Sequence, residues 1–266
     1  MGDIVGRTGR DGVLSRLSDL RARLALDLVV VNAENASHGF GLSPAIATTL
    51  LQSGVDVITL GNHAWDRRDL VGHIDGEPRI IRPLNYPPTT PGQGSVVVAL
   101  ADGRKALVVN VMGRLFMDPL DDPFRCTNEL LTRHRMGATV HAIVVDIHAE
   151  ATSEKWAFGH MLDGRVSLVV GTHTHTPTAD HRILAAGTAF QTDAGMCGDY
   201  NSVIGMTKEP AVARFVRKMP GERLQPSEGE ATICGIMVET DDTTGLARRL
   251  APLRQGGLLA QTMPDF

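Results

Sequence analysis

Four stretches of this chain run from an apolar, strand-like segment directly into side chains that bind metal ions. Leu28-Val29-Val30-Val31 precedes Asn32-Ala33-Glu34-Asn35, and Val57-Ile58-Thr59-Leu60 precedes Gly61-Asn62-His63. Ile143-Val144-Val145-Asp146 leads into Ile147-His148, and Leu168-Val169-Val170 leads into Gly171-Thr172-His173-Thr174-His175. Asp3 stands almost at the first residue. Strands of an open α/β sheet deliver their carboxyl ends to one crevice, so ligands distant in sequence can converge there. Asp3, Glu34, Asn35, Asn62, His148, His173 and His175 exceed what one transition metal usually takes, and they point to a pair of ions.

Imidazole and carboxylate ligands without thiolates suit iron, manganese or zinc. Adjacent residues on a straight strand face opposite sides, so Glu34 and Asn35 reach one site only where the chain has begun to turn. His173 and His175, two apart, can project to the same side. Glu34 has two oxygens and can bridge two cations, Asn62 offers a neutral carbonyl oxygen, and His63 is free for proton chemistry. Two ions about 3.5–4 Å apart hold an activated water and clamp phosphoryl oxygens for in-line attack. A His that protonates the leaving alkoxide contributes on the order of 10²–10⁴-fold. Phosphoester hydrolysis fits this division of labour, with His63 as proton donor.

Asp146 and Glu150 flank His148 and read as residues that orient it, as does Asp193 further on. Arg82 and Asn85, in Arg82-Pro83-Leu84-Asn85, are candidates for contact with substrate phosphate or base, and the same residues read equally as a structural turn. His38, His73, His134, His141, His160 and His181 stand apart from the strand-end clusters and read as ordinary polar residues.

Elements that place these groups are legible in the spacing. Val13–Leu26 carries apolar residues at helical intervals, and Ser43-Pro44 starts a helix that runs to about Gln52 and stops at Gly54. Further helices are predicted over 121–136, 151–161 and 210–218. Strands are predicted over 28–33, 55–60, 79–84, 95–100, 105–111, 140–147 and 166–170, with short ones across 181–192, 231–239 and 245–254. Ala101-Asp102-Gly103-Arg104 reads as a hairpin connection. Alternating strands and helices followed by hairpins predict an α/β fold of two packed mixed sheets flanked by helices. No repeat or long linker divides residues 1–266, which read as a single domain.

The chain of 266 residues is 42% hydrophobic and 21% charged, with a net charge of −4. No basic run supports sequence-blind nucleic-acid binding, and no apolar stretch reaches the length of a membrane span. The three cysteines form no CxxC pair, which argues against a disulfide framework and fits a cytoplasmic protein.

Gly2-Asp3, Gly61-Asn62-His63 and Gly171-Thr172-His173-Thr174-His175 resemble the signature motifs of the calcineurin-like metallophosphoesterases. Gly2-Asp3-Ile4-Val5-Gly6, Asn32-Ala33-Glu34-Asn35, Gly61-Asn62-His63-Ala64-Trp65-Asp66 and Arg82-Pro83-Leu84-Asn85-Tyr86-Pro87 narrow the likeness to the bacterial YmdB-type branch. His148-Ala149-Glu150-Ala151-Thr152-Ser153-Glu154-Lys155 and Thr192-Asp193-Ala194-Gly195-Met196 belong to the same pattern. The resemblance covers nearly the whole chain. It implies a calcineurin-like αββα sandwich, two iron or manganese ions (zinc as a third choice), hydrolysis of 2′,3′-cyclic nucleotides to 3′-nucleotides, and a homo-oligomer. It further implies Asp3 and His175 on the first ion, Asn35, Asn62, His148 and His173 on the second, Glu34 between them, and His63 as proton donor.

Members of that family carry a short apolar strand ahead of the Gly-Asp motif, which is absent before Met1-Gly2-Asp3. The resemblance therefore predicts a fold lacking its first strand: either the start is assigned too late, or Asp3 rides on a loose terminus and its metal site is weakened. That departure keeps a second function in view, a metal-dependent nucleotide-binding regulator with little turnover. A third is a phosphomonoesterase or protein phosphatase, since the same ions clamp any phosphoryl group.

Overall fold

The computed structural model describes residues 1–219 and 221–266. In chain order the elements are β1 (Asp3–Ile4), α1 (Gly6–Arg23), β2 (Val30–Asn32), α2 (Pro44–Gln52), β3 (Val57–Thr59), α3 (Arg68–Val71) and β4 (Ile80–Ile81). Next come β5 (Ser95–Ala99), β6 (Lys105–Met112), α4 (Pro123–Arg133), β7 (Ala142–His148), α5 (Thr152–Leu162) and β8 (Leu168–Thr172). The chain ends with β9 (Arg182–Ile183), β10 (Ala189–Gln191), β11 (Met196–Asp199), α6 (Lys208–Arg217), β12 (Ala231–Thr240) and β13 (Ala247–Gln255).

Six strands, β5-β6-β7-β8-β10-β9, make one layer. The runs β2-β3-β4 and β1-β11-β12-β13 make the other, meeting where the Met1 ammonium donates to the Val30 carbonyl (2.7 Å) and the Asn32 amide to the Met1 carbonyl (3.3 Å). Val57, Ile81 and Val108 pack the layers together. Val13, Leu17, Ala47 and Leu50 cover one outer face from α1 and α2. Leu130, Leu131, Phe158 and Leu162 cover the other from α4 and α5. This is the αββα sandwich that the resemblance implies, and β5 and β6 form the predicted antiparallel hairpin. Among the described residues no helix is long and apolar enough to cross a membrane.

Helix α1 begins at Gly6, well before the predicted Val13. Gly9 and Gly12 look like breakers in sequence, but α1 presses so closely on the second layer that a Cβ at Gly9 would strike the Cys197 carbonyl. Close packing outweighs the cost of about 1 kcal/mol that glycine carries in a helix.

Asp3 is not on a loose end. The shortened first strand, β1, pairs in parallel with β11, and the Gly2 and Asp3 amides donate to Cys234 (3.1 Å) and Gly195 (3.2 Å). Those bonds leave Asp3 fully buried. Beside Met1 the two layers enclose a cavity of about 650 Å³, lined by Leu28, Val30, Val144, Leu168, Ile236 and Val238 among others.

Candidate metal centre

Every ligand candidate sits where a strand of one layer or the other ends. Asp3 opens β1, Glu34 and Asn35 follow β2, Asn62 and His63 follow β3, His148 closes β7, and His173 and His175 follow β8. The register pairs His148 with Thr172, which sets His173 beside it. His173 Nδ1 lies 3.1 Å from His148 Nε2, and that nitrogen lies 3.0 Å from Glu34 Oε1 and 2.9 Å from Asn62 Oδ1. Ligand atoms of Glu34, His148 and His173 all fall within 4.8 Å of one another. Asn35 Nδ2 lies 3.2 Å from His175 Nε2, and Asp3 Oδ1 lies 3.8 Å from the same nitrogen. The structure thus brings Asp3, Glu34, Asn35, Asn62, His148, His173 and His175 into one crevice.

Local backbone serves this convergence. His173 and His175 hold φ at +98° and +64°, unfavourable for side-chain-bearing residues, so both rings turn inward from consecutive turns. A Cβ at Gly61 would collide with the His148 ring and the Glu34 carboxylate, so only glycine lets that loop approach so closely.

Burial and charge compete at each group. Burial pushes the Asp3 carboxyl up to about 6, more than His175 and His148 offset. Burial also acts to raise Glu34, but the charge and hydrogen bond of His148, with the His63 amide, hold it at about 2. Burial acts to lower His148, yet Glu34, Asp3 and Asp146 carry it up to about 9. His173 goes down to about 3, through burial and the neighbouring His148 charge.

A metal fits this donor set. Asp3 Oδ1 is buried and has no hydrogen-bond partner among the described residues. A carboxylate oxygen in that state is costly unless a cation meets it. The neighbours are imidazole nitrogens, carboxylates and amide carbonyls, a set that iron, manganese and zinc accept.

Supporting residues fix the rings. His148 Nδ1 meets Thr172 Oγ1 (2.9 Å), whose hydroxyl donates to Asp146 Oδ1 (2.7 Å). His175 Nδ1 faces the Ile204 carbonyl (2.8 Å), and Glu150 Oε2 lies 3.2 Å from His173 Nε2. His63 Nδ1 meets Asp66 Oδ2 at 2.9 Å, and its ring stands edge-on to Phe40. The His63-x-x-Asp66 spacing was the available signal for that partner. Nothing local to the sequence marks Thr172 or Ile204.

Arg82 and Asn85 take up the structural one of their two readings. Arg82 is buried and gives its guanidinium to the carbonyls of Pro83, Leu84, Thr90 and Pro91. Asn85 is buried too, donating to Met112 and Asp121 and accepting from the Met112 amide. Both brace the Pro-rich loop and the end of β6, and their polar atoms are already engaged.

Comparison with known proteins agrees with this architecture. The family model described as YmdB-like protein matches residues 1–253. The 2′,3′-cyclic-nucleotide 2′-phosphodiesterase of Bacillus subtilis is 44% identical over 250 residues, covering 94% of this chain and 93% of that one. A crystal structure of a hypothetical protein from Thermus thermophilus superposes with a TM-score of 0.89 at 41% identity, over 97% of this chain and 98% of that one. A novel phosphatase from Mycoplasma pneumoniae gives the same TM-score at 35% identity, over 96% and 91% of the two chains.

Proposed function

We propose, from the premise that this chain belongs to the YmdB-like family, that it is a metal-dependent phosphodiesterase. Its substrates would be 2′,3′-cyclic nucleotides, which it opens to 3′-nucleotides. The relative named as a 2′,3′-cyclic-nucleotide 2′-phosphodiesterase supports the substrate class. The observation that carries the metal reading is Asp3 Oδ1, buried without a hydrogen-bond partner among the described residues and facing His175.

Asp3 and His175 would hold one ion, and Asn35, Asn62, His148 and His173 the other, with Glu34 shared. Ions held there would supply Lewis acidity and would lower the pKa of a bound water. The chain's own part is orientation. Asp146, through Thr172, fixes the His148 ring, and the Ile204 carbonyl fixes the His175 tautomer so that Nε2 points inward. Asp66 holds His63 by Nδ1, which leaves Nε2 to protonate the O2′ atom as the P–O2′ bond breaks.

Incubation of the protein with Mn²⁺ or Fe²⁺ and 2′,3′-cyclic AMP tests this reading. Release of 3′-AMP that is lost in His63→Ala supports it. No turnover of the cyclic substrate, or full turnover by His63→Ala, overturns it. Hydrolysis of a matched monoester in place of the diester would make the protein a phosphomonoesterase.

A further inference from the structure

Lys155 and Asp193 are both fully buried, and Lys155 Nζ lies 2.9 Å from Asp193 Oδ2. The two charges come from different places: Lys155 from the first turn of α5, Asp193 from the loop between β10 and β11. Burying such a pair is a poor way to gain stability, because desolvation offsets the attraction and apolar residues of similar size often do as well. Their partners suggest another use. Lys155 Nζ donates to the Thr172 carbonyl (2.8 Å), and Asp193 Oδ2 accepts from the Thr174 amide (3.1 Å). The pair therefore grips the backbone on both sides of His173, the residue held at φ +98°. Asp193 Oδ1 accepts from the Gly195 amide (2.9 Å), and the Gly195 carbonyl accepts from the Asp3 amide (3.2 Å). Asp3 Oδ2 in turn accepts from the His173 amide (3.2 Å).

We infer that Lys155 and Asp193 are positioning residues, an ionic clamp that fixes His173 and Asp3 relative to each other before any metal binds. This rests on the metal-centre reading above. A residue in the left-handed region needs its neighbours to determine it, and here one ion pair holds both flanking peptide groups. Without the clamp, Thr172–Thr174 can relax toward ordinary φ, which swings His173 out of line with His148. The effect expected is on metal affinity, with substrate contact untouched.

The test is equilibrium dialysis against Mn²⁺ alone, with Tm measured in parallel on the metal-free proteins. Lys155→Met strands a buried carboxylate and lowers Tm. The double variant Lys155→Met/Asp193→Asn removes both charges and recovers most of that Tm. It still binds Mn²⁺ about 10–100-fold more weakly than the wild type, the range for loss of a residue that orients a ligand. Leu130→Ala, which opens the core under α4 with a comparable loss of Tm, keeps wild-type Mn²⁺ affinity. Unchanged affinity in the folded double variant, or equal weakening in Leu130→Ala, overturns the clamp. Absence of Mn²⁺ uptake by the wild type overturns the metal-centre reading itself, and the clamp with it.

Discussion

Asp3 Oδ1 stands 3.8 Å from His175 Nε2, beyond hydrogen-bonding distance, while His175 Nδ1 is spent on the Ile204 carbonyl. Two ligands of one ion, each about 2.0–2.2 Å from it, sit roughly 3–4 Å from each other. The spacing is the one that two ligands of a shared ion would have, which supports the proposed metal site.

Asp3→Asn separates stability from function. Burial holds the Asp3 carboxyl at about 6, above its ordinary range, so the charged form is disfavoured in the folded protein. Above pH 6 the metal-free variant melts higher than the wild type, and the difference fades as pH falls through 6 toward 4. Mn²⁺ uptake drops from two ions to one, and turnover of 2′,3′-cyclic AMP falls by more than about 100-fold, the upper range for residues that only orient ligands. Melting curves of the metal-free proteins at pH 5 and 8, with metal analysis, check both halves.

Metal uptake releases a proton from His148. Glu34, Asp3 and Asp146 outweigh burial and hold that imidazole at about 9, so near neutrality it is protonated before a cation arrives. Mn²⁺ affinity rises by about tenfold per pH unit between pH 6.5 and 8.5. In the metal-free protein the raised pKa acts the other way: its stabilisation is complete below pH 6.5 and is lost as pH rises through 9. Calorimetric titration in two buffers of different ionisation enthalpy counts the proton directly. A pH-independent affinity would contradict the assignment of His148 as a ligand.

His63→Ala lowers kcat on 2′,3′-cyclic AMP by about 10²–10⁴-fold while leaving metal content intact. The loss shrinks on bis(p-nitrophenyl) phosphate, whose leaving phenolate needs no proton. Asp66→Asn, which keeps the ring but weakens its anchor at Nδ1, gives a smaller loss in the same direction. Equal losses on both substrates would show His63 doing something other than proton donation.

An apolar extension fused ahead of Met1 raises Tm. The cavity of about 650 Å³ is lined by Val30 of β2 and by Ile236 and Val238 of β12 among others, and burial pushes the Met1 ammonium down. β12 pairs with β13 along its length but meets β11 only at Ala231 and Thr232. Extended residues there would add apolar contact at roughly 3.3 Å of chain each, and they turn a buried ammonium into an amide. A Gly-Ser extension of equal length, which cannot fill the apolar lining, gives no comparable rise.

Much of this arrangement was readable from spacing. Ser43-Pro44 starts α2 where predicted, and the strand-end clusters locate the crevice because a parallel strand must end where its helix begins. What escaped depends on contacts between distant segments. Gly6, Gly9 and Gly12 hide the first turns of α1, since Pro226, Cys197 of β11 and Ala231 and Ile233 of β12, against which they pack, are all remote in sequence. Arg82 looks like a phosphate contact until the loop carbonyls that consume its donors are in place. The expectation of a frayed Asp3 failed for a related reason: the Gly2 and Asp3 amides find the Cys234 and Gly195 carbonyls there to receive them.

Asp3, Glu34, Asn35 and Asn62 hang from one layer of the sandwich, and His148, His173 and His175 from the other. An ion bound among them is a rivet through the seam. Parting the sheets there would separate its ligands, so binding of the ion and packing of the two layers would support each other.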